Sequence, residues 1–231
     1  MTVVVAHRAG PKAAATGLRL NIGSGPDCPA DWVNVDRSPH VLLDRVPPIK
    51  WALYRAGALS DSHMTPWPRN IVFRNVCRGL PFPDGSAAAI YSSHMLEHLY
   101  FEDAQKALRE FRRLLSTTGI VRLALPDSEK LASDFLSDLR LDSGDAAEAA
   151  MTFNAGLNAY PLVRPSGPRM LTSRLGASTH RWQPTRQLVV RMLMDAGFAT
   201  VTERDFLNGA LPDLASVEHR PESFFLEATH R

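Results

Sequence analysis

Two glycines and one acid carry the clearest chemistry in the sequence. Asn21-Ile22-Gly23-Ser24-Gly25 closes a short apolar-rich run. Gly23 and Gly25 lack a Cβ, so the main chain there can turn sharply and lie close to a ligand. Asp36 ends the next apolar run, eleven residues after Gly25. A carboxylate in that place can accept hydrogen bonds from both hydroxyls of a ribose. Phosphate binding fits poorly. The dinucleotide fingerprint would need a third small residue where Cys28 stands, and its acid comes about 20 residues on. A P-loop would need Gly-Lys-Ser/Thr, which is absent, and Pro26 removes an N–H that a phosphate would use. The pattern favours a nucleoside without phosphates; a plain tight turn is the bland alternative.

Three histidines could handle a proton. His94, His98 and His180 are candidate general bases, because imidazole titrates near pH 6.5 when unperturbed. Each also has a non-catalytic reading. His94 can belong to a ligand-binding loop, His98 can pair with Glu97 or Glu102 at a helix start, and His180 can anchor the loop before Pro184. No pair of His or acidic residues has convincing metal-ligand spacing, so no metal is expected. Trp51, Tyr54, Trp67 and Trp182 could face a cation through their rings, although core packing is the commoner use.

The elements that must position these groups are readable from periodicity and punctuation. Strands are expected over 18–22, 32–36, 71–73, 87–92, 120–125, 199–202 and 224–228. The clearest helix carries Ala104, Ala107, Leu108, Phe111, Leu114 and Leu115 on one face, with Gly119 as its stop. Arg109, Arg112 and Arg113 lie on its other face and read as solvated. Residues 128–150 look helical and 151–182 loop-rich. A late helix opens at Pro184 or Thr185, carries Leu188, Val189, Met192, Leu193 and Ala196, and meets a C-terminal cap at Gly197. Strands alternating with helices imply an α/β fold: a doubly wound, mostly parallel sheet covered on both faces. Its ligands bind beyond the carboxyl ends of the strands. One tension is local. Nine residues, 23–31, separate the first two strands, and a parallel crossover usually needs a dozen or more. The intervening helix must be very short, or the strand boundaries lie a few residues away.

Residues 1–17 read as a flexible leader and 18–231 as one domain of a size that can bury a real core. Within it, 37–70 is an insertion broken by five prolines around an apolar piece over 49–59, a candidate lid. Residues 141–182 form a second insertion, a candidate acceptor cap. The net charge of +2 gives no reason to expect a nucleic-acid partner. Two cysteines make a reducing, cytoplasmic setting the default. The N-terminal apolar run is too short for a signal peptide, and no stretch is long enough for a membrane span.

Four motifs in order give this arrangement a family likeness. Leu20-Asn21-Ile22-Gly23-Ser24-Gly25, Trp32-Val33-Asn34-Val35-Asp36, Gly79-Leu80-Pro81-Phe82-Pro83-Asp84 and Ser92-Ser93-His94-Met95-Leu96-Glu97-His98 resemble the class I S-adenosylmethionine-dependent methyltransferases, in particular a small bacterial type-11-like group. His180-Arg181-Trp182 resembles the same group. The likeness spans 18–200. It implies a seven-stranded Rossmann-like methyltransferase sheet with helical insertions, S-adenosylmethionine as cofactor, and methyl transfer to a small-molecule or glycan-type acceptor. It further implies that Asn21, Gly23, Ser24 and Gly25 line the methionine and ribose, that Asp36 binds the ribose, that Asn75 and Val76 meet the adenine, and that Ser93 and His94 approach the methionine end. Asn75 stands where the family commonly has Asp, and Asn21 where many members have an acid. A cofactor-binding or regulatory protein without turnover is the alternative within this fold, and a nicotinamide-dependent oxidoreductase the alternative outside it.

Overall fold

A computed structural model describes residues 17–140, 146–159 and 179–230. The expected leader and most of the expected loop-rich part of the cap lie outside the described residues. Within them, seven strands form one sheet in the order β3-β2-β1-β4-β5-β7-β6. They are β1 (Leu18–Ile22), β2 (Val33–Asp36), β3 (Val72–Phe73), β4 (Ala87–Ser93), β5 (Leu115–Pro126), β6 (Thr200–Arg204) and β7 (Ser223–Thr229). β7 alone is reversed, running antiparallel to both β5 and β6. β1 and β4 are neighbours, and the chain leaves them toward opposite halves of the sheet. Their carboxyl ends are therefore the topological switch point, where such sheets bind ligands.

Burial on both faces explains the apolar strands. Leu20, Ile22 and Ile90 face a large core with Phe111, Leu114, Met192 and Leu193. Ala89 and Tyr91, alternate residues of β4, face a second core with Trp32, Leu214 and Val217, as the period of two requires.

The short crossover between β1 and β2 contains no helix. Two buried side-chain amides do the work a helix would otherwise do. Asn21 Nδ2 donates to Asp27 O (2.9 Å) and to Asn34 Oδ1 (3.1 Å). Asn34 Nδ2 donates to Pro29 O (3.0 Å) and Trp32 O (3.1 Å). These bonds tie the carbonyls of Asp27, Pro29 and Trp32 to the two strands.

Helix α1 (Pro39–Leu43) and helix α2 (Pro47–Arg55) open the 37–70 insertion. Both begin with proline, which suits a first helical turn. The insertion folds back on itself. Buried Lys50 donates to Asp44 Oδ1 (2.5 Å), and Asp44 Oδ2 accepts from the Trp67 amide (2.8 Å).

Helix α3 (Phe101–Leu114) buries Ala104, Ala107, Leu108, Phe111 and Leu114, with Glu102 and Asp103 in its first turn. Acids there suit the helix dipole. It does not run on to Gly119: β5 begins directly at Leu115. Gly119 sits inside the strand, where a Cβ would lie 2.8 Å from Ala87 O, so glycine permits the close approach of β4. The basic face of α3 is also more than solvated. Arg113 donates to the carbonyls of Leu80 and Phe82 and pairs with Asp84 and Glu110. Glu110 Oε1 accepts from the Leu80 amide (2.6 Å). The Gly79–Asp84 motif is thereby fastened to the helix. Arg112 Nε reaches Gly197 O (2.7 Å).

Helix α4 (Ser128–Arg140) packs on helix α5 (Ala146–Leu157), with Phe135 and Phe153 stacked at 4.6 Å. α5 therefore extends to residue 157, into the stretch expected to be loop. Gly156 allows the packing, since a Cβ there would meet the Leu131 side chain at 2.6 Å. Helix α6 (Arg186–Asp195) is capped by Thr185, whose side chain accepts from the Leu188 amide. Gly197 adopts the expected positive φ of 96°. Helix α7 (Leu214–Val217) covers the second core.

Arg186 ties the start of α6 to the end of β5. It pairs with Asp127 (2.6 Å), Glu129 (3.1 Å) and Glu203 (2.6 Å). Hydrogen bonds from Arg186 hold the Asp127 carboxyl below its usual range. A depressed carboxylate stabilises the fold above its ordinary pKa, and that contribution is lost as pH falls through the folded-state value. Asp127→Asn is thus expected to lower the melting temperature at neutral pH, with the gap to wild type closing as the pH falls below about 4. Thermal melts of both proteins across that range check this.

Candidate functional site

A cavity of about 480 Å³ opens at the carboxyl ends of β1, β2 and β4. Every residue expected to hold the cofactor lies on its wall: Asn21, Gly23, Ser24, Gly25, Asp36, Asn75, Val76, Ser93 and His94.

The first wall is the turn after β1. Gly23 and Gly25 have φ of 74° and 59°, a region that costs other residues about 1–2 kcal/mol. The amides of Gly23 and Ser24 donate to Val35 O at 2.8 and 3.3 Å. A Cβ on Gly23 would lie 2.5 Å from Met95 Cγ. Glycine there leaves room for Met95 and presents bare main chain to the cavity. Gly23→Ala is expected to displace the turn and weaken ligand binding about tenfold. Gly23→Ala with Met95→Ala should recover part of the loss; calorimetry on both variants checks this.

Asp36 terminates β2, half-buried. Its Oδ2 accepts from the Gly25 amide (2.9 Å) and its Oδ1 from the Ser38 amide (2.6 Å). One carboxylate thus joins the two chain segments on either side of the cavity mouth. Each oxygen keeps a lone pair for a further donor. Asn21 lines the same end, but both donors of its amide serve the crossover described above.

On the far side, Asn75 and Val76 follow β3. Asn75 Oδ1 accepts from the Cys77 amide (3.1 Å) and caps a single 3₁₀ turn, Val76–Arg78. Val76 gives an apolar surface. Trp67 and His40 also line the cavity, their rings stacked at 5.4 Å and 8°. Of the four aromatics that could face a cation, only Trp67 reaches this wall. Trp51 is 52% exposed, Tyr54 Oη bonds Asp61 (2.7 Å), and Trp182 packs edge-on against Phe101.

The loop after β4 forms the third wall. His94 has φ of 46°, a left-handed conformation that histidine tolerates better than most residues. Its amide donates to Ala124 O (2.9 Å), and its Nε2 lies 2.8 Å from Ser223 Oγ on β7. Burial, with Arg220 and the neighbouring histidines adding, pushes His94 down to about 3. Burial also lowers His98 and His180. All three imidazoles are therefore neutral and weakly basic at neutral pH.

His94 and His98 line the cavity, and buried Glu97 lies within reach of both His94 and His180. Segment 179–183 brings His180 there. The His180 amide donates to Asn158 O and the Arg181 amide to Glu97 O, both at 2.8 Å. Glu97 is fully buried, and burial raises its carboxyl to about 7. The fold thus gathers Glu97, His98 and His180, with one ligand-type atom from each within 4.8 Å of the others. Sequence spacing alone pointed to no such group, because His180 joins it across more than 80 residues.

Tyr91, His219 and Arg220 also line the cavity. Nothing local marks them. His219 and Arg220 arrive because Glu218 is clamped by Arg122 in the middle of β5. Arg122, wholly buried, donates to Glu218 Oε2 (2.5 Å) and Oε1 (2.8 Å), approaches Glu227 Oε1 (3.3 Å), and donates to the carbonyls of Asp205 and Asn208. The lone charge inside the apolar strand Ile120–Leu125 was the available signal.

Comparisons with known proteins bear on the fold that carries this cavity. A family model described as a methyltransferase domain matches residues 20–123, the segment carrying β1 through most of β5. No curated protein matches the chain. Among solved structures, a SAM-dependent methyltransferase from Thermotoga maritima is similar at 14% identity and a TM-score of 0.50, covering 93% of this chain and 83% of its own. A SAM-dependent methyltransferase from Archaeoglobus fulgidus is similar at 15% identity and a TM-score of 0.50, covering 92% and 86%. At such identities the likeness is one of fold.

Proposed function

We propose that this chain, a class I S-adenosylmethionine-dependent methyltransferase, methylates a small-molecule or glycan-type acceptor held beside His94 and His98. The observation that carries the reading is the joining of the Gly23–Gly25 turn and the Asp36 carboxylate at the mouth of one cavity. The cavity's size lies within the range of about 300–1,000 Å³ for small-molecule sites. Its glycine cradle and acid suit an uncharged nucleoside.

Bound S-adenosylmethionine supplies an activated methyl group on a sulfonium. The chain's task is to hold that group in line with the acceptor. Asp36 accepts the ribose hydroxyls. Gly23, Ser24 and Gly25 lie along the ribose and methionine. Val76 offers a face to the adenine, and Asn75 its amide edge. Ser93 and His94 meet the methionine end, where Arg220 adds a cation suited to a carboxylate. Positioning of this kind can supply about 7–11 kcal/mol of a barrier.

The three histidines are poor proton acceptors at neutral pH, for the reasons of burial given above. We assign His94 and His98 to shaping the wall against which the acceptor lies, not to taking its proton. The insertion over 37–70 presents Trp67 and His40 to the cavity, which supports its reading as a lid. His180, within 141–182, comes within reach of Glu97 and His98, which supports that stretch as a cap. No described helix is long and apolar enough to cross a membrane, and Cys28 and Cys77 are both free thiols. The two free thiols suit a reducing setting, and the reading places the chain's action in the cytoplasm. The balanced charge favours no nucleic-acid substrate.

Incubation of the purified chain with S-adenosylmethionine and a panel of hydroxylated and sugar-like acceptors tests the proposal. Mass spectrometry should show one acceptor gaining a methyl group as S-adenosylhomocysteine forms in equal amount. Cofactor binding without turnover across the panel would favour the non-catalytic alternative.

A further inference from the structure

We infer that Glu97, His98 and His180 form a binding site for a divalent transition-metal ion of the zinc type, placed against the acceptor end of the cavity. Two imidazoles and one carboxylate are a ligand set that such an ion takes while keeping a further position open.

The first observation is the carboxylate. Glu97 is 0% exposed, and neither of its oxygens has a hydrogen-bond partner among the described residues. Its nearest basic atoms are His94 Nδ1 at 3.5 Å and His180 Nε2 at 4.0 Å. A buried carboxylate left unpaired costs several kcal/mol. A protonated carboxyl would find only a long contact to His94 Nδ1, at 3.5 Å, for its hydrogen. A cation held by the oxygens removes the penalty.

The second observation is the disposition of the histidines. Their rings meet edge to face at 5.1 Å. His98 Nδ1 lies 3.2 Å from Thr179 O. That bond fixes the ring and leaves Nε2 as a lone-pair donor, the outer contact that metal-binding histidines usually have. His180 is 7% exposed at its side chain, and its Nδ1 has no partner.

The separations are somewhat wide. Tetrahedral ligands at zinc distances lie about 3.4 Å apart, against 4.8 Å or less here. Binding the ion draws the three side chains together, His180 from a segment outside any helix or strand. Because His98 is the member of the set that lines the cavity, the open position is assigned to the cavity side. It suits an oxygen donor, a hydroxyl or a carboxylate, on the acceptor. That use of the ion rests on the methyl-transfer reading; the ion site itself does not.

The test uses full-length, tag-free protein stripped with a chelator. Zn²⁺ is titrated in competition with a chromophoric chelator, and Co²⁺ is followed by its visible absorption. One ion per chain is expected, with an absorption band typical of low-coordinate Co²⁺. Glu97→Gln and His180→Ala should each weaken the ion at least a hundredfold, while His63→Ala leaves it unchanged. Glu97→Gln preserves shape and removes the buried charge, so its metal-free melting temperature should not fall. S-adenosylhomocysteine titrated into the same variant should still bind, which separates failure of the ion site from failure of the cofactor site. Absence of stoichiometric Zn²⁺ binding, or binding undiminished in both Glu97→Gln and His180→Ala, would overturn the inference.

Discussion

Asp36→Ala is expected to weaken S-adenosylhomocysteine binding by about 10–100-fold, or roughly 1.4–3 kcal/mol. Two contributions lead there. The ribose loses a charged acceptor, and hydrogen bonds to charged groups are worth about 1.5–3 kcal/mol. The Gly25 and Ser38 amides also lose the carboxylate that joins them, so the cavity mouth loosens. Asp36→Asn keeps one acceptor oxygen and should fall between wild type and Asp36→Ala. Calorimetric titration of the three proteins gives the order directly. Melts without ligand show how much of the change belongs to the fold.

The second large effect is on stability. Arg122→Met leaves Glu218 and Glu227 buried without their guanidinium, at 2% and 4% exposure. Removing one partner of a buried ion pair costs about 3–5 kcal/mol. For a chain of this length, about 2–4 °C of melting temperature accompanies each kcal/mol, so a fall of about 6–20 °C is expected. Arg122→Met with Glu218→Gln and Glu227→Gln should recover part of it, because no buried charge then lacks a partner. Glu218 precedes His219 and Arg220 on the cavity wall, so Arg122→Met should also weaken cofactor binding. A solvated arginine would give a shift within about 2 °C on the same scale.

These two residues mark how much the sequence discloses. Asp36 is legible because its role needs only local order: a strand, a glycine turn, another strand, an acid. β1, β2, β4 and α3 follow from apolar period and turn residues in the same way. Arg122 is visible as an anomaly in an apolar strand, but its partners come from 96 and 105 residues along the chain. The helix-free crossover was legible only as a tension, since what replaces the helix is a pair of asparagine amides whose bonds depend on β1 and β2 already lying side by side. Gly119 looked like a helix stop because a glycine after a helical stripe usually is one; the need to clear Ala87 O is a tertiary fact. Candidate residues from four strand ends were legible as one cavity lining because the fold fixes where strand ends meet. The grouping of Glu97 with His98 and His180 was not, because no spacing rule relates residues that lie more than 80 positions apart and meet only in the folded chain.

The most direct test of the account is a titration of the purified wild-type chain with S-adenosylhomocysteine, followed by calorimetry, with NAD in a parallel cell. Saturable binding of one nucleoside per chain, and no heat from NAD, is the predicted result. Tight NAD binding with none of the nucleoside would contradict it, and so would a nucleoside isotherm unchanged by Asp36→Ala.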